Sequence, residues 1–153
     1  LQPSPRYQQS ASFSEGVRGE WTPTVSFTTP GDLSVTYTTR IGKYSRILNH
    51  IIISFEIETA SFTHSTAFGV LVVTGMPEFS EPTVTDQFNY GTLQFEGITA
   101  AAGYTHFLSH MSFSLGRITF PMSGSGQVTD IVTAAEVPTG GSLVLSVNIA
   151  CSL

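Results

Sequence analysis

From Trp21 onward the chain is a succession of short apolar or alternating runs divided by Gly, Pro, Asn and Asp, and no window sustains the apolar spacing that a helix needs. This rhythm restricts the fold more than any other feature of the sequence. The clearest run is HIIISFEIE: in an extended chain Ile51, Ile53, Phe55 and Ile57 fall on one side, and Ile52, Ser54, Glu56 and Glu58 on the other. WTPTVSF, LSVTYTTRI, GTLQFEG, YTHFLSHMSFSL, RITFPM and SLVLSVNIACSL continue the series, each preceded by turn residues. About eight to ten strands are expected at the spacing usual for sandwiches and barrels. The expected fold is therefore all-β, an antiparallel β-sandwich of the jelly-roll kind.

Some local expectations are sharper. Pro30-Gly31 within TPGD reads as a type II turn pair, Gly42-Lys43 as a second turn, and Val35, Tyr37, Thr39 and Ile41 as one face of a strand. Residues 128–141 form a long connection of no evident form. The run FGVLVVTG poses a separate problem, because Phe68, Val70 and Val72 would line one face while Leu71 and Val73 make the other apolar too. A second sheet would cover one face. The other calls for a helix or another copy of the chain.

Composition sets further bounds. The 153 residues amount to one domain, with a formal charge of −5 and Lys43 as the only lysine. Without clustered positive charge a nucleic-acid surface is not expected. Charged residues make up 11% of the chain while Ser and Thr supply about a quarter, so the surface must be built from hydroxyls and amides or be partly hidden. The single cysteine, Cys151, leaves no intrachain disulfide, and its setting in LSVNIACSL reads as a buried, inert thiol. No apolar run is long enough for a membrane-spanning helix, so membrane insertion is not expected. Residues 1–18, rich in Pro, Ser and Gln, read as a linker or extended arm, leaving 19–153 as the folded domain. Because the chain opens on Leu1, it is expected to be an excised or processed piece of a longer protein.

The order Gly19, Trp21-Thr22-Pro23-Thr24, Tyr37-Thr38, Gly42-Lys43-Tyr44, Asn49 and Gly75-Met76-Pro77 resembles a β-rich module found at the C-termini of bacteriophage tail fibres and tailspikes. The resemblance is carried by residues 19–77, and LVLSVNIACSL looks like the last strand of that module. Where related sequences tend to place Gly before the Asn of the turn, this chain has Leu48, a residue that resists positive φ. The resemblance implies a homotrimeric tip domain of the virion tail, extracellular at the host surface, that recognises bacterial surface polysaccharide or lipopolysaccharide. On that reading Leu71 and Val73, with Trp21, are candidates for the trimer interface.

Catalytic chemistry finds little in the sequence. Glu56 and Glu58 would share a strand face with Cα atoms roughly 6.6 Å apart, near the separation of glycosidase carboxylates, but they equally form the polar stripe opposite a buried one. His106 and His110 would share a face roughly 13 Å apart, too far to chelate one ion together, and His50 and His64 are remote in sequence. GSGQ lacks the Lys and helix of a phosphate loop, and no G-x-S-x-G is present. No catalytic residue, metal or cofactor is expected. Sugar recognition needs an aromatic face flanked by amides and carboxylates. TDQFNYG offers Asp86, Gln87, Asn89 and Tyr90, and GYTHF offers Tyr104 and His106. The expected function is thus non-catalytic glycan binding by a trimeric tip domain. The alternatives are a purely structural trimerisation or capping module and, third, a polysaccharide hydrolase.

Overall fold

The structure, a computed structural model, describes residues 16–79 and 89–152. Among these residues the chain forms strands only: β1 (Val17–Trp21), β2 (Thr24–Thr29), β3 (Ser34–Ile47), β4 (His50–Thr63), β5 (Phe68–Thr74), β6 (Tyr90–Glu96), β7 (His106–Phe107), β8 (Ser109–Ser112), β9 (Arg117–Thr119), β10 (Pro121–Ser123), β11 (Asp130–Ile131) and β12 (Val144–Ser152). Nine of them form one antiparallel sheet in the order β1-β3-β4-β12-β6-β8-β9-β5-β2, and β11-β10-β7 form a small second sheet. The large sheet curls. Its first five strands and its last four carry apolar faces into one common core, a β-sandwich-like arrangement.

The alternation of HIIISFEIE sets the first half of that core. Ile51, Ile53 and Ile57 are fully buried and Phe55 is nearly so, with Leu145, Val147 and Ile149 beside them on β12. Val25, Phe27, Leu71, Val73, Met111 and Ile118 line the other half. The two ends of the curled sheet also touch: the Val25 N–H donates to the Tyr37 hydroxyl at 3.1 Å, and Arg40 Nη2 donates to Thr24 Oγ1 at 3.1 Å. Arg40 lies over the Tyr37 ring, 4.6 Å from its centroid.

FGVLVVTG has its cover within a single chain. Leu71 and Val73 enter the core at 0% exposure, and Val72 on the opposite face is only 5% exposed, while Phe68 stands 63% exposed. Trp21 is buried as well, edge-on to Phe55 at 5.7 Å. The three side chains expected at a trimer interface are thus packed inside one chain, because the sheet curls over the strands that carry them. Leu71 and Val73 are fully enclosed, and Trp21 retains 8% exposure.

Other local expectations shift for physical reasons. The twelve strands of the described residues exceed the expected eight to ten because four of them, β7, β9, β10 and β11, are only two or three residues long and show no period. YTHFLSHMSFSL divides between the two sheets, and RITFPM does the same. The turn after β2 closes one residue later than the Pro-Gly pair suggested: Leu33 N–H donates to the Pro30 carbonyl at 2.9 Å, and Gly31 takes φ +53°. Gly42-Lys43 makes no turn at all, since β3 runs straight through it. Gly42 instead lies opposite Trp21, and Gly19 opposite Tyr44, so each glycine leaves room for the aromatic ring across the strand pair.

The expected common face of Val35, Tyr37, Thr39 and Ile41 is split by a bulge in β3. Tyr37 pairs with Thr59 but Thr39 pairs with Glu58, which leaves Thr38 as an extra residue in β3. A one-residue insertion reverses the faces. Val35 and Tyr37 pack on the core, whereas Ile41 pairs with Glu56 on the outer face and is 52% exposed.

Candidate functional site

With Ile51, Ile53, Phe55 and Ile57 buried, the intervening residues of β4 face outward, and strand pairing aligns them with polar side chains from β3, β12 and β6. One row runs Lys43, Ser54, Asn148, Thr92. The next runs Ile41, Glu56, Ser146, Gln94. These two rows line a groove of ≈ 510 Å³ on the outer face of the sheet. Four strands at the usual spacing make it roughly 14 Å wide. Short side chains, Ser54 and Ser146, lie on its two central strands, with Lys43 and Ile41 on one flanking strand and Gln94 on the other. A second hollow adjoins it, sharing Lys43 and Ser54 and extending to Arg18, Glu20 and Ile52.

The groove holds one cationic and one anionic side chain, Lys43 and Glu56, beside amides and hydroxyls. The Thr92 hydroxyl donates to the Asn148 backbone carbonyl at 3.5 Å. The side chains of Lys43, Ser54, Glu56, Gln94, Ser146 and Asn148 make no hydrogen bond or ion pair to another described residue. Tyr90 shares the outward face of β6 with Thr92 and Gln94 and is 43% exposed. Its ring meets the imidazole of His110, the residue paired with it on β8, at a centroid distance of 4.9 Å.

The residues singled out in the sequence are dispersed. Asp86 and Gln87 lie outside the described residues. Asn89 is 7% exposed and accepts a hydrogen bond from the Met111 N–H at its backbone carbonyl, 3.0 Å away. Tyr90 stands beside the groove. Tyr104 is half-buried, donating its hydroxyl to the Val128 carbonyl at 3.1 Å, and His106 lies exposed on the small sheet with Nδ1 2.9 Å from Thr105 Oγ1. Tyr90 and His106 thus belong to different sheets. Glu56 and Glu58 both face outward and are exposed, only Glu56 lining the groove. Lys43, Gln94, Ser146 and Asn148 escaped sequence reasoning as a group, since each comes from a separate run or strand position and only the pairing register aligns them.

His64 is held between Phe27 and Phe62, and its Nε2 lies 2.7 Å from the Val137 carbonyl. His50 Nδ1 lies 3.1 Å from Ser152 Oγ. Among the described residues, no three of His, Cys, Asp and Glu converge as metal ligands would. Burial pushes the Cys151 thiol up to about 11, and its S–H donates to the Ile51 carbonyl at 3.7 Å, the setting of an inert thiol.

Fold and groove together define an all-β module of curled antiparallel sheet that presents an open polar face. Among solved structures, the chain is similar to the Dettilon tailspike protein (gp208), with a TM-score of 0.55 and 18% identity over 88% of this chain. At that identity the likeness is one of fold. The chain spans 23% of the length of that protein. The chain matches no protein-family model and no curated protein sequence.

Proposed function

We propose that the chain is a tail-associated domain of a bacteriophage tailspike or fibre that assembles as a homotrimer and binds a host surface glycan without catalysing its cleavage. The observation that carries this reading is the fold shared with a tailspike across 88% of the chain. The sequence resemblance of residues 19–77 and the outer groove of uncommitted amides and hydroxyls support it. The domain would then act in the virion tail, outside the host cell, on polysaccharide or lipopolysaccharide. Binding of the purified chain to isolated bacterial surface polysaccharides, measured beside its solution mass by light scattering, tests both halves. A chain that binds no glycan, or that remains a monomer at working concentration, overturns the corresponding half.

One observation favours the structural alternative, a trimerisation or capping module. Ile47, Leu48 and Ile52 are 51%, 69% and 46% exposed near one end of the large sheet, Ile47 and Ile52 on its outer face. Apolar exposure of this kind marks contact surfaces. A trimer without glycan affinity would favour this second reading.

A further inference from the structure

We propose that the glycan site is the two-row groove on the outer face of β3, β4, β12 and β6, and that its ligand is an uncharged, hydroxyl-rich oligosaccharide lying across the strands. This rests on the glycan-binding reading above and assigns it a place. Three features of the groove converge. First, Lys43, Ser54, Asn148, Glu56, Ser146 and Gln94 bring donors and acceptors to one concavity, and their side chains hydrogen-bond to no other described residue. Sugar hydroxyls both donate and accept, so a mixed set of ammonium, amide, hydroxyl and carboxylate groups matches them. Second, the lining carries one positive and one negative charge, Lys43 and Glu56, which gives no net attraction for a polyanion and favours a neutral ligand.

Third, apolar side chains lie in and beside the groove, where a sugar ring can meet them. Ile41, turned outward by the β3 bulge, gives an aliphatic surface at one side. Beside the groove, beyond its lining, Tyr90 precedes Thr92 on the outward face of β6, with its ring against that of His110 at 4.9 Å. An aromatic ring braced in this way can take the C–H face of a sugar. The roughly 14 Å across four strands accommodates a short oligosaccharide instead of a single sugar. The GYTHF segment lacks this set, since the Tyr104 hydroxyl is already committed to Val128 and His106 stands on the other sheet.

The test is an array of neutral and acidic bacterial oligosaccharides probed with the full chain, followed by titration of the strongest ligand into variants. Ser146→Trp fills the groove, and Gln94→Ala removes one amide from its rim with little risk to folding. His106→Ala is the control on the small sheet. The expected result is a neutral ligand whose affinity falls at least tenfold in Ser146→Trp and severalfold in Gln94→Ala, with melting temperatures and His106→Ala binding unchanged. Should Ser146→Trp misfold, Gln94→Ala and amide chemical-shift mapping of the wild type decide the matter. If the chain binds a glycan and groove residues are indifferent, this site is overturned while the glycan-binding function stands. Hits confined to acidic sugars overturn the ligand class. No binding to any glycan overturns the function itself.

Discussion

Leu48 begins the two-residue loop between Ile47 and His50 and takes φ +56°, a conformation that costs an L-residue about 1–2 kcal/mol. Its side chain, 69% exposed, recovers little of that by burial, while Arg46 Nε holds the turn by donating to the Leu48 carbonyl at 3.1 Å. Glycine would remove the clash and lose about 0.4–1 kcal/mol through a freer unfolded chain. Leu48→Gly is therefore expected to stabilise the chain by about 0.5–1 kcal/mol, raising Tm by roughly 1–4 °C in a chain of this size. A lower Tm in thermal denaturation would show that the leucine contributes contacts at this end. Asp32 is the opposite case, a residue whose surroundings favour its charged form. Its carboxylate accepts the Ser65 hydroxyl at 2.5 Å and the Ser65 and Thr66 N–H groups at 2.8 Å each, tying the β2–β3 turn to the β4–β5 loop. These bonds hold its pKa well below the ordinary carboxylate range, the Ser65 hydroxyl contributing most. Because the folded pKa lies below the unfolded one, the clamp contributes fully above about pH 4 and is lost as pH falls through the folded value. The Tm difference between wild type and Asp32→Ala should accordingly be constant from neutral pH down to about 4 and narrow below it. A difference that widens in acid would contradict this assignment.

At the level of elements, the long strands were legible because burial on one face leaves a period of two. HIIISFEIE is read residue by residue, and the outward positions of Ser54 and Glu56 follow from it, while SLVLSVNIA is read only as a strand. What escaped was whatever depends on a neighbour. The bulge at Thr38 turns Ile41 outward, and nothing within LSVTYTTRI marks it, since the extra residue is defined only against β4. The groove was invisible for the same reason. Gly42 was misread as a turn because its purpose lies across the strand pair, where the Trp21 ring occupies the space a Cβ would need. Gly42→Val is expected to force that ring out of its packing beside Phe55 and cost about 1–3 kcal/mol by overpacking. Denaturant melts that superimpose on wild type would mean that the indole can shift freely, and the pairing of glycine with aromatic across β1 and β3 would lose its structural meaning.

For the whole molecule, the burial of Leu71 and Val73 changes what assembly requires. A carboxylate at Val73 would stand unpaired in a fully buried site, so Val73→Asp should unfold the chain instead of separating copies. If three chains do associate, the contact must use surface that one chain leaves open, and the exposed apolar group of Ile47, Leu48 and Ile52 offers such surface on the outer face. Ile47 pairs with His50, which places this group at the β3–β4 loop. The nearest groove residue on β4, Ser54, lies two residues beyond Ile52 on the same face, roughly 7 Å away at the rise of an extended strand, and Glu56 lies two residues further. Contact centred on Ile47 and Leu48 therefore borders the groove through Ile52 and leaves its outer row, Ile41, Glu56, Ser146 and Gln94, open. Ile47→Lys separates the two by placing a charge in the apolar group while leaving the groove lining intact. Light scattering is expected to show three chains for the wild type and one for Ile47→Lys, with nearly equal melting temperatures once the wild type is diluted below its association range. The isolated chain should retain its affinity for a monovalent oligosaccharide and lose only the avidity that three linked sites give on a polysaccharide. A trimer undisturbed by Ile47→Lys would move the assembly surface elsewhere, and loss of monovalent affinity on dissociation would mean that the groove is completed by a neighbouring chain.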